Sequence, residues 1–158
     1  MDFKKLPMVN GVPVSLVGHQ HTIEDLVALP CAKLIKTATQ NYTGNVTTKA
    51  TWQGADWDLT GGFNAANSRL LLPASLYGNG LFQVDYALFL NNTSAMTMYV
   101  YVNGANALTM LSTTVLNNYF YATGYLTAAA GDYIELWLRG VTGRTIQTTS
   151  WCHIRQIG

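Results

Sequence analysis

Apolar and polar side chains alternate along much of the chain after residue 30, in short runs separated by turns rich in Gly, Asn and Thr. In the run 80–90, every second residue from Phe82 to Leu90 is a large apolar one, whereas Gln83 and Asp85 fall on the opposite side. A repeat of two residues is typical of a strand that turns one face to the core. The run therefore predicts a strand with a buried and an exposed face.

Similar runs recur along the chain, and turn signals such as Asn103-Gly104 and Gly131-Asp132 separate them. They predict strands over 32–39, 48–52, 69–73, 96–102, 115–127, 133–139 and 148–157. The segment that carries Asp56, Trp57 and Asp58 is predicted to be a long loop. About eight antiparallel strands, each with a single core-facing side, predict an all-β fold built as a two-sheet sandwich.

The first 30 residues follow a different pattern. Asn10-Gly11 predicts a tight hairpin turn between short apolar segments. The segment 22–26 begins with a capping threonine and has early acidic residues, enough for about one helical turn. Because nothing here can bury a core by itself, residues 1–30 are predicted to be an anchor or stalk and residues 31–158 a knob domain.

Charged residues are scarce: they make up 11% of the chain against 49% hydrophobic residues, and the formal net charge is +1. Nucleic acids and anionic membranes attract proteins with a basic excess, so neither is an expected partner. No apolar stretch has the length of a membrane span, and we expect no membrane insertion. A monomer with so few charges would expose much neutral surface, which partners usually cover. These properties favour an oligomer.

Large, semi-polar side chains occupy the strand positions opposite the predicted core. Aromatic residues of this kind are enriched at protein interfaces, although Tyr, Trp and Thr also favour strands for their own sake. Given the low charge elsewhere, we predict an oligomer interface at Tyr99, Tyr101, Tyr121, Tyr133 and Trp137.

The order of several motifs between Cys31 and Gly158 resembles the complement and tumour-necrosis-factor jelly-roll superfamily, in the form found at the ends of phage fibres. The most specific motif is Ala130-Gly131-Asp132-Tyr133-Ile134-Glu135-Leu136. One departure is Gly80-Leu81-Phe82, where many members of the family have Gly-x-Tyr. The resemblance implies an antiparallel two-sheet jelly roll that assembles as a homotrimer and binds without catalysis.

The segment Gly18-His19-Gln20-His21-Thr22-Ile23-Glu24-Asp25-Leu26 is similar to a short element of phage tail-fibre proteins. This resemblance implies a virion structural protein that is assembled in the host cytoplasm. Its residues 1–30 would contact other virion proteins, and its knob would contact the host surface through a glycan or another receptor. The alternative is a capsid decoration, cement or head-fibre protein that docks through the same segment.

His19 and His21 are spaced so that both imidazoles point the same way in an extended chain. A three-fold axis would bring six of them together, which suits an octahedral first-row ion such as iron or nickel better than tetrahedral zinc. The fibre resemblance implies the same arrangement, a structural metal on the trimer axis. Alternatively, both histidines form hydrogen bonds within a turn and hold no metal.

The segment with Trp57 is the best candidate for receptor contact, because an exposed indole can stack on the apolar face of a sugar. Asp56 and Asp58 flank it as a carboxylate pair or as solvated turn residues, without the glycine and distal glutamate of a calcium hand. His153, which has no acidic neighbour in sequence, is predicted to be a packed or interface residue. No catalytic triad order, nucleophile elbow or phosphate loop is present, so we expect no enzyme activity.

Cys31 and Cys152 form neither a CxxC pair nor a disulfide framework. If the first and last strands are neighbours, the two thiols can approach each other. We expect two small buried hydrophobic side chains in a reduced protein.

Overall fold

A computed structural model of the chain describes residues 8–9, 12–13, 31–73, 79–91, 95–112 and 118–158. Most of the predicted anchor, including His19 and His21, lies outside these residues. Its described part is the antiparallel pair β1 (Met8–Val9) and β2 (Val12–Pro13), as the Asn-Gly hairpin predicts. Within the described ranges there is no helix long and apolar enough to cross a membrane.

The domain from residue 31 onward is built from strands that alternate core-facing and outward-facing side chains. They are β3 (Cys31–Ile35), β4 (Gln40–Tyr42), β5 (Thr48–Lys49), β6 (Gly54–Asp58), β7 (Phe63–Asn64), β8 (Arg69–Leu71), β9 (Asn79–Phe89), β10 (Met96–Val102), β11 (Ala105–Ser112), β12 (Tyr119–Ala129), β13 (Tyr133–Gly140), β14 (Arg144–Ile146) and β15 (Trp151–Gln156).

These strands form two antiparallel sheets. The six-stranded sheet has the order β11-β10-β13-β8-β7, with β5 also paired to β13, and the five-stranded sheet has the order β12-β9-β15-β3-β6. A separate two-stranded ladder joins β4 to β14. The predicted all-β, two-sheet sandwich is confirmed.

The hydrophobic core lies between the two sheets. The apolar side of β9 is fully buried, as its alternation predicts: Phe82, Val84, Tyr86 and Leu88 are all 0% exposed, and so is Leu90 directly after the strand. Each such side chain stabilises the fold by about 1.5–3 kcal/mol relative to an exposed one. Trp52 packs edge-on against Tyr86, with ring centroids 5.9 Å apart.

The sequence did not predict the short strands β4, β7 and β14, or the longer strands β6 and β11. β11 completes a hairpin with β10 through Asn103 (φ 51°) and Gly104 (φ 78°), which is the left-handed turn that Asn-Gly favours. β6 occupies the segment predicted to be a long loop, and the prediction of a loop there was wrong. It pairs with β3 through a bulge at which Asp56 is the extra residue.

The two cysteines lie on neighbouring strands but on opposite sides of the sheet. Cys152 faces the core and is buried, whereas Cys31 faces outward and is only partly buried. Both are free thiols. The prediction of two buried side chains is therefore correct for Cys152 and wrong for Cys31.

Candidate interaction surface

A row of side chains crosses the outer surface of the five-stranded sheet. Strand register aligns Thr123 with Asp85, Asp85 with His153, His153 with Lys33 and Lys33 with Trp57. Because directly opposite residues share a face of the sheet, these five positions form one line across five strands.

Asp85 lies near the centre of this row and is only 6% exposed. Its Oδ1 accepts hydrogen bonds from Thr123 Oγ1 at 2.8 Å, Gln83 Nε2 at 2.9 Å and Tyr121 OH at 3.1 Å. Burial alone would raise the pKa of this carboxyl. The three hydrogen bonds and the Arg155 guanidinium outweigh burial, so the pKa lies below its ordinary value. Asp85 is thus a charged group whose partners are supplied by its own protomer.

His153 connects Asp85 to the aromatic edge of the surface. Its Nδ1 is 3.8 Å from Asp85 Oδ2, and its ring stands edge-on to Trp57 with centroids 4.8 Å apart. Burial lowers the pKa of His153, and the cations Arg155 and Lys33 lower it further. The Asp85 carboxylate raises it, but the net result is a lowered pKa. The imidazole is therefore neutral at neutral pH, and the surface gains no net positive charge from it.

Tyrosines dominate the β12 side of this surface. Tyr121 and Tyr125 are 50% and 55% exposed. Tyr119 OH accepts a hydrogen bond from Trp151 Nε1 at 3.0 Å, and the Tyr121 and Trp151 rings lie 6.2 Å apart. The result is a broad aromatic surface next to a carboxylate that is already hydrogen-bonded.

Solved structures that superpose on most of this chain define the fold. Murine APRIL superposes with a TM-score of 0.59 at 12% identity, over 82% of this chain and 100% of that one. The Eiger TNF of S. frugiperda gives 0.53 at 12% identity, over 83% and 94%. The globular domain of zebrafish complement 1qA gives 0.52 at 10% identity, over 82% and 98%.

The fold is the jelly roll of tumour-necrosis-factor and complement C1q domains. Identities this low show the fold alone. No protein-family model and no curated protein sequence matches the chain.

The three residues predicted to contact a receptor occupy the β6 edge of this jelly roll. Trp57 is 37% exposed and packs on His153. Asp56 forms an ion pair with Lys33 at 2.6 Å. Asp58 instead accepts hydrogen bonds from the backbone amides of the turn that follows, at residues 60 and 63. The two carboxylates therefore have separate structural partners, and the described residues contain no cluster of metal ligands.

The predicted oligomer interface is divided between the two sides of the sandwich. Tyr121 belongs to the five-stranded surface. The other four residues lie on the outer surface of the six-stranded sheet: Tyr99, Tyr101, Tyr133 and Trp137. There the Tyr101 and Trp137 rings are 5.0 Å apart, and the Arg69 guanidinium lies 4.7 Å from the Tyr133 ring centroid. The structure therefore does not bring all five residues onto one face of the sandwich.

The sequence interpretation did not identify Asp85 as a site residue. An isolated acidic residue in a strand gives no sign of a partner. The available signal was its outward position in a strand whose other face is fully apolar, combined with Thr and Tyr at alternate positions of 119–127.

Proposed function

We propose that the chain is a homotrimeric binding module without catalytic activity, whose copies pack through the outer surface of the five-stranded sheet. The observation that supports this most strongly is the combination of half-exposed tyrosines, Tyr121 and Tyr125, with the buried and fully hydrogen-bonded Asp85. A charge can be covered by a partner at low cost only when its hydrogen bonds are already made. This surface meets that condition.

The outer surface of the six-stranded sheet is a weaker candidate. Its aromatic side chains are only partly exposed and already have partners within the protomer, since Tyr101 contacts Trp137 and Arg69 covers Tyr133. Covering it would therefore remove less apolar area from water. Three copies, instead of two, are proposed because the superfamily that the chain resembles forms trimers. The contacts in a closed ring of three are heterologous, so two different parts of this sheet surface meet around the three-fold axis.

The absence of catalysis is supported by the geometry around His153. A histidine that activates a nucleophile must accept the proton of that nucleophile. Here the Thr123 hydroxyl donates to Asp85, and His153 contacts Asp85 and Trp57. The hydroxyl and the imidazole both converge on the carboxylate, and neither activates the other.

Light scattering coupled to size-exclusion chromatography tests the trimer. At micromolar concentration we expect three times the 17.3 kDa mass of one chain. Tyr125→Lys should dissociate the trimer, because it would place a charge in the covered surface. Tyr99→Lys, on the other sheet, is the matched control and should remain trimeric. A monomeric parent, or a control that dissociates while Tyr125→Lys does not, would contradict the proposed surface.

The finer proposal is a structural part of a phage particle, a fibre knob that contacts a host-surface glycan or another receptor. It is supported by the fibre-type element at residues 18–26 and by the low charge of the chain. A capsid decoration protein that docks through residues 1–30 is the second candidate. Immunogold electron microscopy separates the two, with label expected at the tail for a fibre and over the capsid for a decoration protein. Particles without label would contradict both.

A metal at His19 and His21 belongs to the same proposal. Elemental analysis of the purified protein should find about one iron or nickel ion per three chains, as six imidazole ligands require. Either His19→Ala or His21→Ala should remove it, whereas His153→Ala should retain it. A parent protein that contains no metal would contradict the metal site and leave the trimer untouched.

A further inference from the structure

A polar cavity of about 310 Å³ lies at the small ladder formed by β4 and β14. Its lining residues are Asn41, Tyr42, Asn91, Gly143, Arg144 and Thr145. None of them belongs to the five-stranded sheet, and a single protomer supplies all of them. The cavity is therefore separate from the surface proposed to form the trimer.

Backbone contacts fix the shape of this cavity. A methyl group on Gly143 would lie 2.7 Å from the Tyr42 carbonyl oxygen, and one on Gly44 would lie 2.8 Å from the Gly143 nitrogen. The backbone N–H of Asn45 also donates to the Gly140 carbonyl at 2.7 Å. Because main chain packs closely around the lining residues Tyr42 and Gly143, a ligand would meet a site that is already ordered, which lowers the cost of binding.

Two amide side chains in the cavity use their oxygens within the protein. The Thr145 hydroxyl donates to Asn41 Oδ1 at 2.6 Å, and the Thr145 backbone N–H donates to Asn91 Oδ1 at 3.1 Å. These two hydrogen bonds fix the orientation of both amides, because only the amide oxygen can accept a hydrogen bond. Among the described residues, neither NH₂ group has an acceptor, and both side chains are exposed to solvent.

Arg144 provides the positive charge of the cavity. Its Nη1 donates to the Gly143 carbonyl at 3.1 Å, which holds the guanidinium close to the cavity wall. Its Nε is buried and has no hydrogen-bond partner among the described residues, and none of their carboxylates forms an ion pair with it. Because Nε is buried, a ligand would meet the accessible part of this partly buried side chain, which lines the cavity. A carboxylate is the acceptor that best matches a guanidinium.

We propose that this cavity binds an acidic sugar, with the carboxylate of one hexuronic acid residue on Arg144 and its ring hydroxyls on the amides of Asn41 and Asn91. Arg144 has no ion pair with a described carboxylate, which favours an anionic ligand. The polar side chains that line the cavity favour a hydroxylated ligand over an apolar one. The volume, at the small end of ligand sites, accommodates one sugar residue. The binding module would thereby recognise acidic surface polysaccharide.

Ligand-detected NMR titration of the purified protein tests the proposal with three probes. Sodium glucuronate should bind, glucose should bind about tenfold more weakly or not at all because it lacks the charge, and acetate should bind more weakly because it lacks the ring hydroxyls. Glucose that binds as well as glucuronate would overturn the role of Arg144. Acetate that binds as well as glucuronate would overturn the sugar and leave only a general anion site.

Variants then locate the binding. Arg144→Gln should weaken glucuronate binding about tenfold or more, and Arg144→Lys should also weaken it because a lysine lacks the planar fork. Arg139→Gln, an exposed arginine on the six-stranded sheet, is the matched control and should bind as the parent does. Unchanged binding by a folded Arg144→Gln would contradict the site. The Tyr125→Lys protein should bind glucuronate even as a monomer. The experiment therefore distinguishes a wrong trimer interface from a wrong ligand site.

An oligosaccharide with a terminal glucuronate separates the two sources of such a ligand. Binding at least as tight as free glucuronate indicates a polysaccharide end, as proposed. Binding of the free sugar acid alone would show that the cavity is closed to a chain and would contradict recognition of polysaccharide.

Discussion

His153 Nδ1 lies 3.8 Å from Asp85 Oδ2, on directly opposed positions of β15 and β9. The carboxyl has a lowered pKa and the imidazole has a lowered pKa, so at neutral pH an ionised acid faces a neutral base. The pair therefore responds to acid in one direction, because protonation of either group opposes the folded state.

We expect the free energy of unfolding to fall in two steps as the pH decreases. The folded state disfavours protonated His153, so the first loss begins below the ordinary histidine pKa of 6.5 and is complete below its lowered folded value. The stability contributed by ionised Asp85 is present above its ordinary pKa of 3.8 and is lost as the pH falls through the lower folded value. Urea unfolding between about pH 7.5 and about pH 3 measures both steps.

His153→Gln isolates the first of these steps. The variant should show a smaller loss of stability between about pH 7 and about pH 5 than the parent, because glutamine does not titrate. An identical pH profile in the two proteins would show that His153 does not contribute.

Removing the Asp85 carboxylate should destabilise the domain by about 2 kcal/mol. Asp85→Ala leaves the donors on Thr123 and Gln83 without their acceptor. Asp56→Ala is the matched control, since its ion pair with Lys33 is solvent-exposed and should contribute less than about 1 kcal/mol. Equal losses in the two variants, measured by urea unfolding, would contradict the central role assigned to Asp85.

Lys36 carries a buried amine that should make stability depend on alkaline pH. It is 2% exposed, and its Nζ donates to Thr51 O at 2.7 Å and to Gln40 Oε1 at 3.2 Å. Burial lowers its pKa to about 8. Between about pH 8 and pH 10.5, Lys36 is protonated in more of the unfolded chains than of the folded ones. Raising the pH through this range therefore stabilises the folded state.

The Lys36→Met variant lacks this titration. Between about pH 8 and about pH 10.5, the free energy of unfolding of the parent should rise relative to that of the variant, by about 3 kcal/mol at most. A constant difference between about pH 8 and about pH 10.5 would contradict a depressed lysine pKa.

Gly62 should tolerate no side chain. A methyl group there would lie 1.9 Å from the Leu71 carbonyl oxygen. The backbone N–H of Leu71 also donates a hydrogen bond to the Gly62 carbonyl oxygen at 2.9 Å. We expect Gly62→Ala to destabilise by about 3 kcal/mol, because main chain must move. The neighbouring Gly61 has open space but φ +63°, so Gly61→Ala should cost only about 1 kcal/mol, the strain of a left-handed residue. Thermal melting of both variants ranks them, and the reverse order would contradict the packing at Leu71.

The sequence predicted strands well where one face of the strand is apolar. β9 and β10 follow from alternation, because their inward residues are large and most of their outward residues are polar or aromatic. β6 and β11 were missed because Gly54–Asp58 and Ala105–Ser112 show no such contrast. Both are edge strands of their sheets, and pairing with a neighbour, more than burial of a face, defines them.

The candidate surface was harder to predict than the fold. Tyr121 was identified from its position opposite the core, but Asp85 and His153 come together only through the register of β9 against β15. Register between strands distant in the chain is set by the packing of the whole sheet. The cavity at Arg144 has the same origin, since its walls are contributed by three separate segments.

The bulge at Asp56 has a consequence for behaviour at high concentration. β6 ends the order of its sheet, and an unpaired outer strand is a template on which another chain can add by main-chain hydrogen bonds. The extra residue interrupts the regular ladder, and the charged pair Lys33–Asp56 stands beside it. Such an edge is a poor template for strand addition, so crowded copies of this domain should not stack through β6.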